Sequence, residues 1–107
     1  MTRLSPAQLA EWLAEPAAAR PLLLDVREEW EFELACLPDS HHLPLGELPS
    51  GLHRLDPQRP VVCICHHGVR SLQAARLLMH HGFAQVHDLI GGIDAWSREV
   101  DTGVPRY

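Results

Sequence analysis

The stretch VVCICHHGVRSLQAARLLM, Val61 to Met79, passes from one periodicity to another within a few residues. Val61-Val62-Cys63-Ile64 has the length and β-branched content of a buried strand. Beyond it Leu72, Ala75, Leu78 and Met79 recur at helical spacing, and Gly82 supplies a stop. Between them lies a loop from Cys65 to Arg70, so Cys65 stands where a strand ends and a helix is about to begin. Unpaired backbone N–H groups and the positive end of the helix dipole converge there, which favours a thiolate. Arg70 adds a permanent charge at the same end, and Gly68 opens backbone angles closed to other residues.

Working outward, Ser5-Pro6-Ala7-Gln8 is a helix start, with a Ser cap, Pro at the first helical position and Gln three residues on. Leu9, Trp12 and Leu13 form its apolar face, and Pro16 closes it. Leu22 to Val26 reads as a second buried strand with Asp25 near its exit. Glu28 to Leu34 predicts a brief helix with Trp30 and Leu34 facing inward. His41 to Leu45 suits a short strand, and Leu45 to Leu55, interrupted by Pro49 and Gly51, suits two short helical turns. A last strand falls around Gln85-Val86-His87, a helix runs from Gly91-Gly92 through Val100, and Asp101 to Tyr107 trails over the surface. Strands alternating with helices imply an α/β fold with a mostly parallel sheet, whose ligand site lies beyond the carboxyl ends of the strands. Cys65, Asp25 and Arg27 all fall at such ends.

A chain of 107 residues, 46% hydrophobic and 21% charged, suits one globular domain over residues 1–107. The net charge of -5 and the absence of a basic run argue against nucleic acid and anionic membrane as partners. All nine basic residues are arginine, which excludes Schiff-base chemistry. An odd cysteine count and a polar N-terminus without a signal-peptide core point to a reducing, cytoplasmic setting.

Cys65-His66-His67-Gly68-Val69-Arg70-Ser71 resembles the active-site loop of rhodanese-like sulfurtransferases. Leu24-Asp25-Val26-Arg27-Glu28 and Gly91-Gly92-Ile93-Asp94-Ala95-Trp96 extend the likeness over nearly the whole chain, in that family's order. The resemblance implies a three-layer fold with helices flanking the sheet. It also implies a Cys65 persulfide that takes sulfur from a donor such as thiosulfate and passes it to cyanide, a thiol or a protein. No other cofactor is implied. Ala35-Cys36-Leu37-Pro38 departs from the family's Gly-His-Ile-Pro, so no role carries over to a histidine there.

Each residue also has a plainer reading. Arg70 is equally a brace for loop carbonyls, Asp25 a loop or cap support, and Arg27 either an aid to the anion or the partner of a glutamate. Cys63 with Cys65, His66 and His67 raises a metal site, but Cys63 alternates into a core and a metal would quench the nucleophile; none is expected. Cys36 is an ordinary half-buried cysteine. The pairs His41-His42 and His80-His81 read as surface residues, whereas His66 and His67 lie in the loop against substrate. Three rival functions remain. Phosphatases and arsenate reductases use a Cys-to-Arg loop, but the phosphatases have five intervening residues where this chain has four. A non-catalytic module of the same fold is the second, and the presence of the loop cysteine speaks against it; a carrier that receives sulfur from a protein donor, with thiosulfate activity only incidental, is the third.

Overall fold

The computed structural model describes residues 1–107. Its strands are β1 (Thr2–Leu4), β2 (Leu22–Asp25), β3 (His41–His42), β4 (Val61–Ile64) and β5 (Val86–Leu89), and its helices are α1 (Pro6–Ala14), α2 (Glu29–Leu34), α3 (Leu48–Gly51), α4 (Arg70–His80) and α5 (Gly92–Glu99). Single 3-10 turns at Leu45–Glu47 and Leu52–Arg54 bracket α3. The five strands form one wholly parallel sheet in the order β1-β5-β4-β2-β3.

β4, at the centre, decides the layering. All four of its residues are buried, and their side chains alternate between two cores. Val61 and Cys63 pack with Leu24, Leu48, Ala75 and Leu78 on the α3–α4 face. Val62 and Ile64 pack with Leu9, Leu23, Ile93 and Trp96 on the α1–α5 face. The arrangement is an α/β three-layer fold with a parallel sheet between helices. No helix is long and apolar enough to cross a membrane.

Helix α1 starts as its sequence demands: Gln8 N–H donates to the Ser5 hydroxyl and Ser5 N–H to the Gln8 side chain. One strand was not foreseen, and three expectations give way. Thr2–Leu4 has no strand signature, yet pairs in register with His87–Leu89 because β5 otherwise offers an open edge. In α2 the inward residue is Glu31, buried to 3%, whereas Trp30 and Leu34 are 59% and 48% exposed; a charge network, described below, turns the helix. Met79, expected on the buried face of α4, is 45% exposed, while Leu78 beside it is buried. The segment after α5 does not trail away: Val104 is buried and Tyr107 folds back onto α2.

Candidate active site

Cys65 follows the last residue of β4 and is 1% exposed. Gly68 N–H donates to its sulfur at 3.0 Å. The loop can turn back so tightly because Gly68 adopts φ +100°, in the region that favours glycine. Helix α4 begins at Arg70, so Ser71 lies in its first turn, beneath the sulfur. The Cys65 thiol donates to Ser71 Oγ at 3.4 Å, and the Ser71 hydroxyl donates in turn to Asp88 on β5. Asp88 is fully buried, sits beside Cys63 in the sheet register, and receives Arg3 Nε from β1 at 3.1 Å.

The glycine pair before α5 clamps the loop from the other side. Ile93 N–H donates to the Cys65 carbonyl at 2.8 Å and Asp94 N–H to that of His66 at 3.1 Å. This close approach needs Gly92: a Cβ there would lie 2.5 Å from the His66 carbonyl oxygen and closer still to that of Cys65. Two of the first amides of α5 thus hold the carbonyls, while the amide of Gly68 faces the sulfur.

Arg70 does not brace carbonyls. Its Nη1 and Nη2 donate to Glu31 Oε1 at 2.5 Å and Oε2 at 2.8 Å, a two-pronged pair. Glu31 also accepts from Glu28 N–H at 3.1 Å and from the Tyr107 hydroxyl at 2.7 Å. The Arg70 bonds, opposed by burial and helped by Tyr107 and the Glu28 backbone, lower the Glu31 carboxyl from 4.5 to about 2. Arg70 is correspondingly raised.

Arg27 is fully buried. It grips Asp25 through Nε at 2.8 Å and Nη2 at 2.6 Å, and donates to the Ala35 carbonyl at 2.5 Å and the Tyr107 hydroxyl at 2.8 Å. Its partner is therefore an aspartate and not a glutamate side chain. Burial pushes its guanidinium down, but the bonds to Asp25 and Tyr107 outweigh this and leave it raised. Asp25 also accepts Arg27 N–H at 3.2 Å, closing the turn after β2.

His66 is sandwiched between His67, at 3.9 Å between ring centroids, and Tyr107, at 4.0 Å. Its Nε2 is buried without a partner. Burial first, and His67 second, lower its basicity. His67 and Val69 are exposed at the rim, Val69 by 69%. His66, His67 and Asp94 bring ligand atoms within 4.8 Å of one another, but Asp94 is occupied by Arg98 at 3.1 Å and Arg106 at 3.3 Å. Cys63 is buried in the sheet, and burial, with the charge of Asp88, raises its thiol far above the ordinary value. Cys36 is half-buried, and all three cysteines are free.

The structure thus gathers Cys65, the loop to Ser71, Asp25 and Arg27 at the carboxyl ends of β4 and β2. It adds Glu31, Asp88 and Tyr107, which sequence reasoning passed over. Asp88 had a signal, a lone carboxylate in an apolar strand. Glu31 had a weaker one, four residues after Arg27 at the start of a helical turn. Tyr107 had none.

A parallel sheet flanked by helices, with a strand-to-helix cysteine loop clamped by a glycine pair, defines a class of α/β domain built around one sulfur atom. A model of the rhodanese-like domain family matches residues 5–99, and the chain belongs to that family. It is 35% identical over 91 residues to a protein of Pseudomonas syringae pv. syringae named thiosulfate sulfurtransferase GlpE, covering 85% of this chain and 83% of that one. It is 38% identical over 93 residues to maize (Zea mays) adenylyltransferase and sulfurtransferase MOCS3-1, covering 80% of this chain but only 20% of the relative's length. The crystal structure of a rhodanese-related protein from Thermoplasma volcanium superposes with a TM-score of 0.83 at 29% identity, over 94% of each chain.

Proposed function

We propose that this chain is a rhodanese-type sulfurtransferase, moving a sulfane sulfur from a donor such as thiosulfate, through a Cys65 persulfide, to a thiophilic acceptor: cyanide, a thiol or a protein. The observation that carries the reading is the Cys65 sulfur at the end of β4, with the Gly68 amide aimed at it from 3.0 Å. The thiolate attacks the outer sulfur of thiosulfate; an S–S bond forms on Cys65, the donor's S–S bond breaks, and sulfite leaves with the electron pair. An acceptor nucleophile then takes the outer sulfur and returns the thiolate. The Gly68 amide stabilises the anion in both states. No proton transfer is needed once Cys65 is ionised, so neither His66 nor His67 acts as a base.

In this reading Cys65 is the catalytic residue, His66 to Ser71 form the substrate loop, and Asp25 and Arg27 support it. The persulfide is the only covalent intermediate, with no metal and no other cofactor. Residues 1–107 act as one domain in a cytoplasmic, reducing setting, with neither nucleic acid nor membrane as partner. The sulfurtransferase names of relatives support the chemistry. The test is intact mass after incubation with thiosulfate: one added sulfur, removed by cyanide, is expected on the native protein and absent from Cys65→Ser. Cys36→Ser and Cys63→Ser should keep most activity. Full turnover by Cys65→Ser sinks the assignment.

A further inference from the structure

Resting on the sulfurtransferase reading, we propose that Asp88 is a positioning residue: by fixing the direction of the Ser71 hydroxyl it keeps empty Cys65 as a thiol and makes its loading with sulfur depend on pH.

The two oxygens of Asp88 are divided between partners. Oδ1 accepts from the Ser71 hydroxyl, and Oδ2 accepts from Arg3 Nε and Nη2, both at 3.1 Å. Asp88 and Ser71 are fully buried, so bulk solvent competes for neither. A carboxylate only accepts, so the single proton of Ser71 is committed to it. Only oxygen lone pairs remain for the Cys65 sulfur, 3.4 Å away. Those lone pairs receive a thiol proton but repel a thiolate, and the carboxylate charge behind them acts in the same direction.

The neighbouring groups leave this bias standing. On β4, Cys63 lies beside Asp88 in register, and its thiol is pushed far up, by burial first and Asp88 second, so it adds no charge. On β5 itself, His87 points to the opposite face of the sheet, against Trp12. On β1, Arg3 is half-exposed at the far oxygen, so water weakens its compensation. Near the sulfur, Arg70 is engaged by Glu31, and the Gly68 amide is the donor that favours the anion.

Empty and loaded Cys65 ask different things of Ser71. The empty cysteine must shed its proton to solvent before it attacks, because the thiolate is the nucleophile. In the persulfide the inner sulfur is bonded on both sides and carries no proton. Any charge then sits on the outer sulfur, one bond beyond the atom that Ser71 faces. The Ser71–Asp88 pair therefore opposes the empty thiolate and spares the loaded form. A resting thiol is also slow to be alkylated or oxidised, which guards the nucleophile between turnovers.

The test follows alkylation of Cys65 by iodoacetamide between pH ~6 and pH ~10, read by mass on the peptide that carries it, in native protein and Asp88→Asn. Asparagine keeps the shape but can donate through Nδ2, which frees the Ser71 proton for the sulfur. At pH ~7 native Cys65 should react at less than about a tenth of its high-pH plateau, a measurement that needs no variant. Asp88→Asn should raise the rate at pH ~7 roughly tenfold. Its plateau should stay level or fall slightly, because a thiolate that forms more easily is a weaker nucleophile. A loosened loop would instead raise the rate at every pH. A native rate already at its plateau by pH ~6, an unchanged profile in folded Asp88→Asn, or a parallel rise at every pH each overturns the role of Asp88 while leaving sulfur transfer intact. Failure of thiosulfate to load native Cys65 overturns the sulfurtransferase reading and the claim about loading with it, whereas the alkylation profile still decides the state of the thiol.

Discussion

The hydroxyl of Ser71 donates to the carboxylate of Asp88, which enters from a separate strand. A hydroxyl has one proton, so Ser71 meets the Cys65 sulfur as an acceptor, and the thiol points along a fixed line at 3.4 Å. The reactive thiolate has no proton to donate, so Ser71 serves it by holding the Asp88 carboxylate; Ser71→Ala leaves buried Asp88 with Arg3 alone and its charge unscreened toward the sulfur. Sulfur transfer should fall roughly tenfold, or ~1.4 kcal/mol in the barrier, with an unchanged far-ultraviolet circular dichroism spectrum. Native-like kcat in Ser71→Ala would mean that the Gly68 amide alone suffices at the sulfur.

Arg70→Lys tests shape against charge. Lysine preserves the positive charge but cannot span both oxygens of Glu31 at once. The link between the start of α4 and α2 should loosen, and activity should drop strongly toward every donor. Near-native kinetics in Arg70→Lys would show that charge suffices.

The Arg70–Glu31 pair has a defined acid limit. The Glu31 carboxyl is lowered in the folded protein, from 4.5 to about 2, so its contribution to stability is present above pH ~4.5 and lost as pH falls toward 2. The difference in Tm between native protein and Glu31→Gln should be constant from pH 7 to about 5 and shrink below that. A difference that persists unchanged at pH ~2 would assign the effect to packing instead of charge.

Gly92→Ala tests the clamp. The residue sits at φ +62°, and a Cβ would overlap the carbonyls of Cys65 and His66. A loss of ~2–4 kcal/mol is expected, lowering Tm by more than ~8 °C, together with poor loading of Cys65. Gly46→Ala, where nothing lies within 4 Å of the added Cβ, is the control and should be silent.

Loop length separates sulfur from phosphoryl chemistry. Amide donors must lie ~2.7–3.1 Å from the atoms they stabilise, and the loop with four residues between Cys65 and Arg70 brings the Gly68 amide to 3.0 Å from the one sulfur. Hydrolysis of aryl phosphates should be negligible and vanadate at most a weak inhibitor. A glycine inserted between Gly68 and Val69 should lower sulfur transfer and improve oxyanion binding. Robust phosphatase turnover by the native chain would replace the sulfurtransferase reading.

Local periodicity and loop chemistry carried much of this protein in the sequence alone. The β4–loop–α4 unit, the capping box of α1 and the position of Cys65 are short-range matters. Each depends on residues within a turn or a strand of one another, where sterics and hydrogen-bond geometry leave few options. What depended on the assembled fold was the electrostatic state of the site. Arg70 and Glu31 are 39 positions apart, Ser71 and Asp88 are 17 apart, and Tyr107 meets Glu31 across 76. No periodicity encodes such pairs, so whether an arginine faces a substrate, a carbonyl or a carboxylate was open until the elements packed. The inversion of α2 has the same origin: Trp30 and Leu34 match the apolar pattern, but burying Glu31 between Arg70 and Tyr107 satisfies a charge whose burial without partners costs more than two exposed side chains forgo. Short-range chemistry determined where the nucleophile is, and long-range charge pairing decided what surrounds it.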